Sequence, residues 1–161
     1  MYHGSTVKVE APQILYKEIG RDFGPAFYTT DIRAQAERWA VRRAKIANRR
    51  GRGHRGIVNI YEWDETADLK LLRFDGPSTE WLELVLKCRA DSSYRHGYDV
   101  VIGSIANDNV GETVSYVLQG IMRREDALER LKFEKINNQI AFCTAASLER
   151  LAYQDCYETE V

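Results

Sequence analysis

Eight basic side chains fall between Arg38 and Arg55 with no acid among them, and the segment ends in Arg49-Arg50-Gly51-Arg52-Gly53-His54-Arg55-Gly56. Cations at that density suit phosphates, whether those of a nucleotide or of a nucleic-acid backbone, and they equally suit a solvated helix face. No aromatic residue interrupts the Arg-Gly run, so stacking on unpaired bases is not expected there. Other chemistry is sparse. His3, His54 and His96 are too scattered to argue a metal site, and none is expected. Cys88, Cys143 and Cys156 contain no Cys-x-x-Cys pair, which points to reduced thiols rather than a disulfide framework or a thiolate zinc site. There is no Gly-x-Ser-x-Gly elbow and no Gly-x-x-x-x-Gly-Lys-Ser/Thr loop, so serine hydrolase and P-loop chemistry are excluded. By residue type alone, His3 reads as an ordinary strand-end histidine.

The elements that must position these residues alternate in type. Tyr2-His3-Gly4-Ser5 reads as a strand running into a turn, and Asp22-Phe23-Gly24-Pro25 as a turn before the β-prone Ala26–Thr30. Asp31 is the expected N-cap of a helix in which Ile32, Ala36, Trp39, Ala40, Ala44 and Ala47 recur at helical spacing. Three glycines end that helix in a basic loop expected to be mobile. Strands are expected at Ile57–Trp63, Tyr98–Ile105 and Gln139–Cys143, with another in the Leu151–Tyr157 tail. Helices are expected at Ser78–Ala90 and at about 112–122 and 125–133. The strands do not repeat as regular βαβ units, and no Gly-x-Gly-x-x-Gly lies between a strand and a helix. The expected class is therefore α+β with a mixed or antiparallel sheet, not a Rossmann-type domain.

At 161 residues with no linker, repeat or low-complexity tract, the chain is expected to form one domain over 1–161. A 44% hydrophobic and 11% aromatic composition can build a core and excludes a disordered chain. No apolar run approaches the roughly 20 residues of a membrane span, and MYHGSTVKVE lacks a signal-peptide pattern. A protein without membrane partners is expected, cytoplasmic or delivered without a Sec-type signal. The formal charge of -1 hides an asymmetry: residues 1–56 hold 12 basic and 5 acidic side chains, and residues 57–161 hold 11 and 19. That pattern argues against a uniformly cationic nucleic-acid packager and leaves one face free to meet a polyanion.

Tyr2-His3-Gly4-Ser5 resembles the first motif of the ADP-ribosyltransferase fold, in the branch with diphtheria toxin and the poly-ADP-ribose polymerases. The segment from Gly24-Pro25-Ala26-Phe27-Tyr28 to Trp39 resembles the second, and Asn138-Gln139-Ile140-Ala141-Phe142 the third. The motifs stand in the family's order and span residues 2–142. The wider pattern of YHGS, FGPAFYTT, AERWA, YDVVIGSIAND and NNQIAFCT is similar to a bacterial family of unknown function placed within that fold.

The resemblance implies split mixed and antiparallel sheets with flanking helices, and NAD as substrate. It implies that the Gly4 backbone bonds the nicotinamide amide, that His3 with Ser5 beside it bonds a ribose hydroxyl, and that Tyr28 and Trp39 enclose the nicotinamide ring. Breaking the nicotinamide–ribose bond develops positive charge, and two π faces suit a cationic ring. His3, Tyr28 and Gln139 are the implied catalytic residues. Gln139 stands where the family has a glutamate, Pro25 where it has a lysine, and Ala36 where a serine is frequent. A neutral amide can bond a ribose hydroxyl without contributing charge, which argues against polymer synthesis; Asp108 or Glu112 is a candidate for the missing charge. Arg49, Arg50, Arg52 and Arg55 are candidate contacts to NAD phosphates or to nucleic acid.

The implied function is transfer of a single ADP-ribose from NAD to a macromolecular acceptor, protein or nucleic acid. A toxin or effector role and a cognate inhibitor protein are implied with it. The alternatives are an NAD glycohydrolase, a catalytically inactive binding module that keeps the fold, and a nucleic-acid-binding protein using residues 38–55.

Overall fold

The computed structural model describes residues 1–51, 53–65, 68–105, 108–131 and 137–160. Among these, seven strands and five helices follow in the order β1 (Tyr2–Ser5), β2 (Phe27–Thr29), α1 (Arg33–Asn48), β3 (Gly56–Trp63), β4 (Leu71–Arg73), α2 (Thr79–Ala90), β5 (Val100–Gly103), α3 (Asp108–Leu118), α4 (Arg124–Leu131), β6 (Gln139–Phe142), α5 (Ala145–Leu148) and β7 (Leu151–Thr159). The strands form an antiparallel sheet, β1-β3-β7, and a mixed sheet, β2-β6-β5-β4, in which β4 and β5 run parallel and the other neighbours antiparallel. The α+β class is as expected.

The period of two along each strand sorts the apolar residues into layers. Phe27, Val100, Ile102, Ile140 and Phe142 of the mixed sheet pack against Tyr61 and Leu151 of the antiparallel sheet. Tyr28, Val101 and Ala141, on the opposite face, meet Trp81, Leu82 and Val85 of α2, with α3 and α4 contributing Val114 and Leu131. The continuous apolar run around β5 is thus consumed by cores on both sides. Helix α1 covers the other face of the antiparallel sheet, its Ala36 and Ala40 packing on Val58. A Cβ on Gly4 would come within 2.4 Å of the Ala36 carbonyl, and one on Gly56 within 2.9 Å of the Ala40 backbone. Glycines in β1 and β3 opposite alanines in α1 are what let helix and sheet approach this closely.

Some local expectations are corrected. The N-cap of α1 is Ile32, not Asp31; Thr30 Oγ1 accepts from the Ile32 N–H at 3.0 Å, and Asp31 accepts from Asn138 instead. Ser78 does cap α2, its hydroxyl accepting from Trp81 N at 3.1 Å. Strand β4 and helix α5 have no counterpart among the expected elements, being too short to show a period. The basic loop is closed at its base by the Asn48 side chain, which bonds both the N–H and the carbonyl of His54 at 2.6 and 2.9 Å.

Candidate functional site

The two sheets meet edge to edge where Tyr2 and Thr30 exchange backbone hydrogen bonds of 2.8 and 2.9 Å, and beyond that pair β1 and β2 part. Polar backbone groups alternate sides along a strand, so those of Gly4 point the same way as those of Tyr2, into the opening. His3 holds the seam from the other strand face: its Nδ1 lies 2.7 Å from the Tyr28 carbonyl oxygen, and its ring centroid 4.3 Å from that of Phe27.

A carbonyl can only accept, so Nδ1 carries the proton of that bond. Burial pushes the His3 pKa down to about 4, outweighing the Tyr28 hydrogen bond. The ring is therefore neutral at pH 7, protonated on Nδ1, with Nε2 left as an acceptor.

His3, Gly4, Tyr28, Trp39 and Gln139 line one cavity of about 470 Å³. They come from β1, β2, α1 and β6, so the fold unites residues up to 136 positions apart in sequence. Ser5 does not join them; it lines an adjoining cavity of about 360 Å³ that shares His3 and Tyr28, and its hydroxyl accepts from Val7 N at 3.3 Å. The Tyr28 hydroxyl is committed to its own turn, donating to the Gly24 carbonyl at 2.6 Å and accepting from Phe23 N at 3.1 Å, and burial keeps it from ionising. Its ring has a cationic neighbour, the Arg21 guanidinium, 4.1 Å from the ring centroid and 2.8 Å from Glu18.

Three polar partners around Gln139 carry no signal in the sequence, Asp22 and Arg89 lining the cavity and Ser104 lying behind Gln139. Gln139 Nε2 donates to Asp22 Oδ2 at 2.8 Å and to the Ser104 carbonyl at 3.2 Å. Asp22 Oδ1 receives Arg89 Nε at 3.0 Å and Nη2 at 2.5 Å. Along the chain, Asp22 reads only as a turn residue, Arg89 only as a cation in the last turn of a helix, and Ser104 only as the end of an apolar run. Gln139 and Arg89 lie 117 and 67 positions from Asp22, so no local pattern could announce these partnerships.

The cations of the cavity also differ from expectation. Arg21, Arg42, Arg43 and Arg89 line it, with Glu18 and Asp22 as its carboxylates among the described residues. Arg49 lies in a separate groove between α1 and β7, Arg50 is exposed, Arg55 pairs with Glu158 at 2.5 Å, and Arg52 lies outside the described residues. Of the candidate replacement charges, Glu112 is not at the cavity, since it accepts from the Tyr116 hydroxyl on an exposed face of α3. Asp108 opens that same helix.

A family model described as a protein of unknown function (DUF3990) matches residues 1–153. The chain belongs to that family. The DUF3990 span contains every element that lines the cavity, from β1 through α2 to β6. No curated protein and no solved structure matches the chain. Among the described residues of this DUF3990 protein, no helix is long and apolar enough to cross a membrane, and no cluster of His, Cys, Asp and Glu could hold a metal ion.

Proposed function

We propose that this DUF3990 protein binds NAD in the cavity at the seam of its two sheets and transfers a single ADP-ribose to a macromolecule, in the manner of the ADP-ribosyltransferase fold. The observation that carries the reading is the convergence of His3, Gly4, Tyr28, Trp39 and Gln139 on one cavity, since these residues come from three separate motifs of the resemblance. The volume lies within the usual range for a small-molecule site. Charge supports the ligand as well: four arginines against two carboxylates among the described residues leave the lining at +2, matching the two charges of a pyrophosphate.

In the proposed reaction the bond between nicotinamide and ribose C1′ breaks, its electron pair leaving on the nicotinamide nitrogen. The acceptor's nucleophile then bonds C1′ and its proton passes to water. His3 Nε2, a bare acceptor, is suited to a ribose hydroxyl, and the Gly4 backbone to a planar amide. Trp39 offers the ring an aromatic wall; the face of Tyr28 becomes available only when Arg21 moves off it. A module that binds NAD without turning it over is the second reading, favoured by the neutral side chain of Gln139.

Incubation of the purified protein with labelled NAD and a cell lysate tests both. Label on macromolecules supports transfer, free ADP-ribose supports glycohydrolysis, and calorimetric binding without either product supports the binding module. Absence of NAD binding, with His3→Ala and Trp39→Ala indistinguishable from the parent in every assay, overturns the reading. Salt-sensitive RNA binding lost on neutralising Arg49 and Arg50 would favour a nucleic-acid-binding protein instead.

A further inference from the structure

We propose that Asp22 is the positioning residue of this site, fixing the Gln139 amide so that its carbonyl oxygen faces the cavity and a neutral glutamine presents a ligand hydroxyl with an acceptor. A glutamine amide has two N–H donors and one carbonyl acceptor. Both donors are spent, on Asp22 Oδ2 at 2.8 Å and on the Ser104 carbonyl at 3.2 Å. Neither oxygen has a proton to return. The Ser104 carbonyl already accepts from Trp81 Nε1 at 2.9 Å, and the other carboxylate oxygen of Asp22 is held by Arg89. An inverted amide would set Oε1 against two oxygens, so the arrangement selects one orientation, and Oε1 is the group left for a ligand. Donation to a carboxylate also polarises the amide and strengthens Oε1 as an acceptor.

Cations and neutral groups surround Asp22. Arg89 approaches from α2, and Arg21 neighbours it in the chain. The Tyr28 hydroxyl and the Cys88 thiol are neutral: burial first, and Asp22 after it, raise the phenol and hold the thiol up at about 11. A carboxylate introduced at 139 would meet Asp22 at 2.8 Å with no donor between them. Gln139→Glu should therefore weaken the site, although it restores the residue type of the resembling family. Combining Asp22→Asn with Gln139→Glu moves the charge across the same contact: the new amide nitrogen at position 22 becomes the donor and the amide oxygen stays with Arg89, while the carboxylate oxygen facing the Ser104 carbonyl stays uncompensated.

The inference rests on the NAD reading only for the ligand in its test. Urea unfolding of the full chain, the two single variants and the double variant, at pH 7 and pH 5, is combined with NAD calorimetry on all four. Each single variant should bind NAD about tenfold more weakly or worse, and the double variant should recover at least about threefold over Gln139→Glu, the lost Ser104 contact keeping it short of the parent. The stability loss of Gln139→Glu should shrink at pH 5, where the facing carboxylates share a proton, which a merely steric defect would not do.

Rescue of stability in a protein that binds no NAD would overturn the NAD reading and sustain the positioning role. Gln139→Glu binding NAD as well as the parent, or a double variant no better than the singles, would overturn the positioning role and leave the NAD reading intact. Should a single variant not fold, the assigned Gln139 Nε2 protons of the parent decide by NMR: slow exchange with solvent supports the inference, and free exchange overturns it.

Discussion

The Nδ1 of His3 lies 2.7 Å from the carbonyl oxygen of Tyr28, tying β1 to β2 at the point where the sheets part. This bond sets the imidazole tautomer before any ligand arrives, and it closes the seam where the strand ladder stops.

A pH dependence follows. The unfolded chain takes up a proton at His3 near pH 6.5, while the folded protein resists until about pH 4. Between those values the unfolded state binds more protons, so stability falls as the pH drops through that window, by roughly 1–3 kcal/mol. Urea unfolding from pH 7.5 to pH 4.5 should show this slope, and His3→Gln should lessen it, leaving the part that burial of His96 adds in the same direction.

Tyr28→Phe keeps the ring and removes a hydroxyl that serves both the Gly24 carbonyl and the Phe23 N–H. Two buried backbone groups lose their partner, for a destabilisation of about 1–3 kcal/mol by denaturant titration. NAD affinity should change less than in Trp39→Ala, since the hydroxyl is bound within its own turn and the ring that lies under Arg21 is unchanged.

Gly4→Ala should cost about 3 kcal/mol or more. The new methyl would lie 2.4 Å from the Ala36 carbonyl and 2.7 Å from Ala40 N, both fixed helix backbone, so β1 must move off α1. Differential scanning calorimetry should show the loss whether or not NAD is present.

Arg43→Ala should weaken NAD binding by about tenfold, and Arg50→Ala should leave it unchanged, because Arg43 lines the cavity and Arg50 does not. Calorimetry at low and moderate salt separates the two, and equal effects would mean that the ligand is not held in the cavity.

Local patterns carry much of the architecture. The alanine and arginine spacing of α1, the Ser78 cap of α2 and the apolar run around β5 depend on neighbours three, four or two positions away, which is the range over which helix and strand periods act. Resemblance marks His3, Tyr28, Trp39 and Gln139 as a group, and the cavity brings them together. Asp31 misleads because a cap depends on where its side chain finds a partner, and Asn138 claims it.

What only the tertiary structure decided is the polar partnership within the cavity. Which arginines face it, and that Asp22 and Arg89 meet beside Gln139, depend on side chains from β6, α2 and the β1–β2 connection converging on one point. Sequence alone determined which residues have the right chemistry, because residue type and local period are written in the chain. It could not determine which of them share a charge or a hydrogen bond, because those energies depend on distances that packing sets.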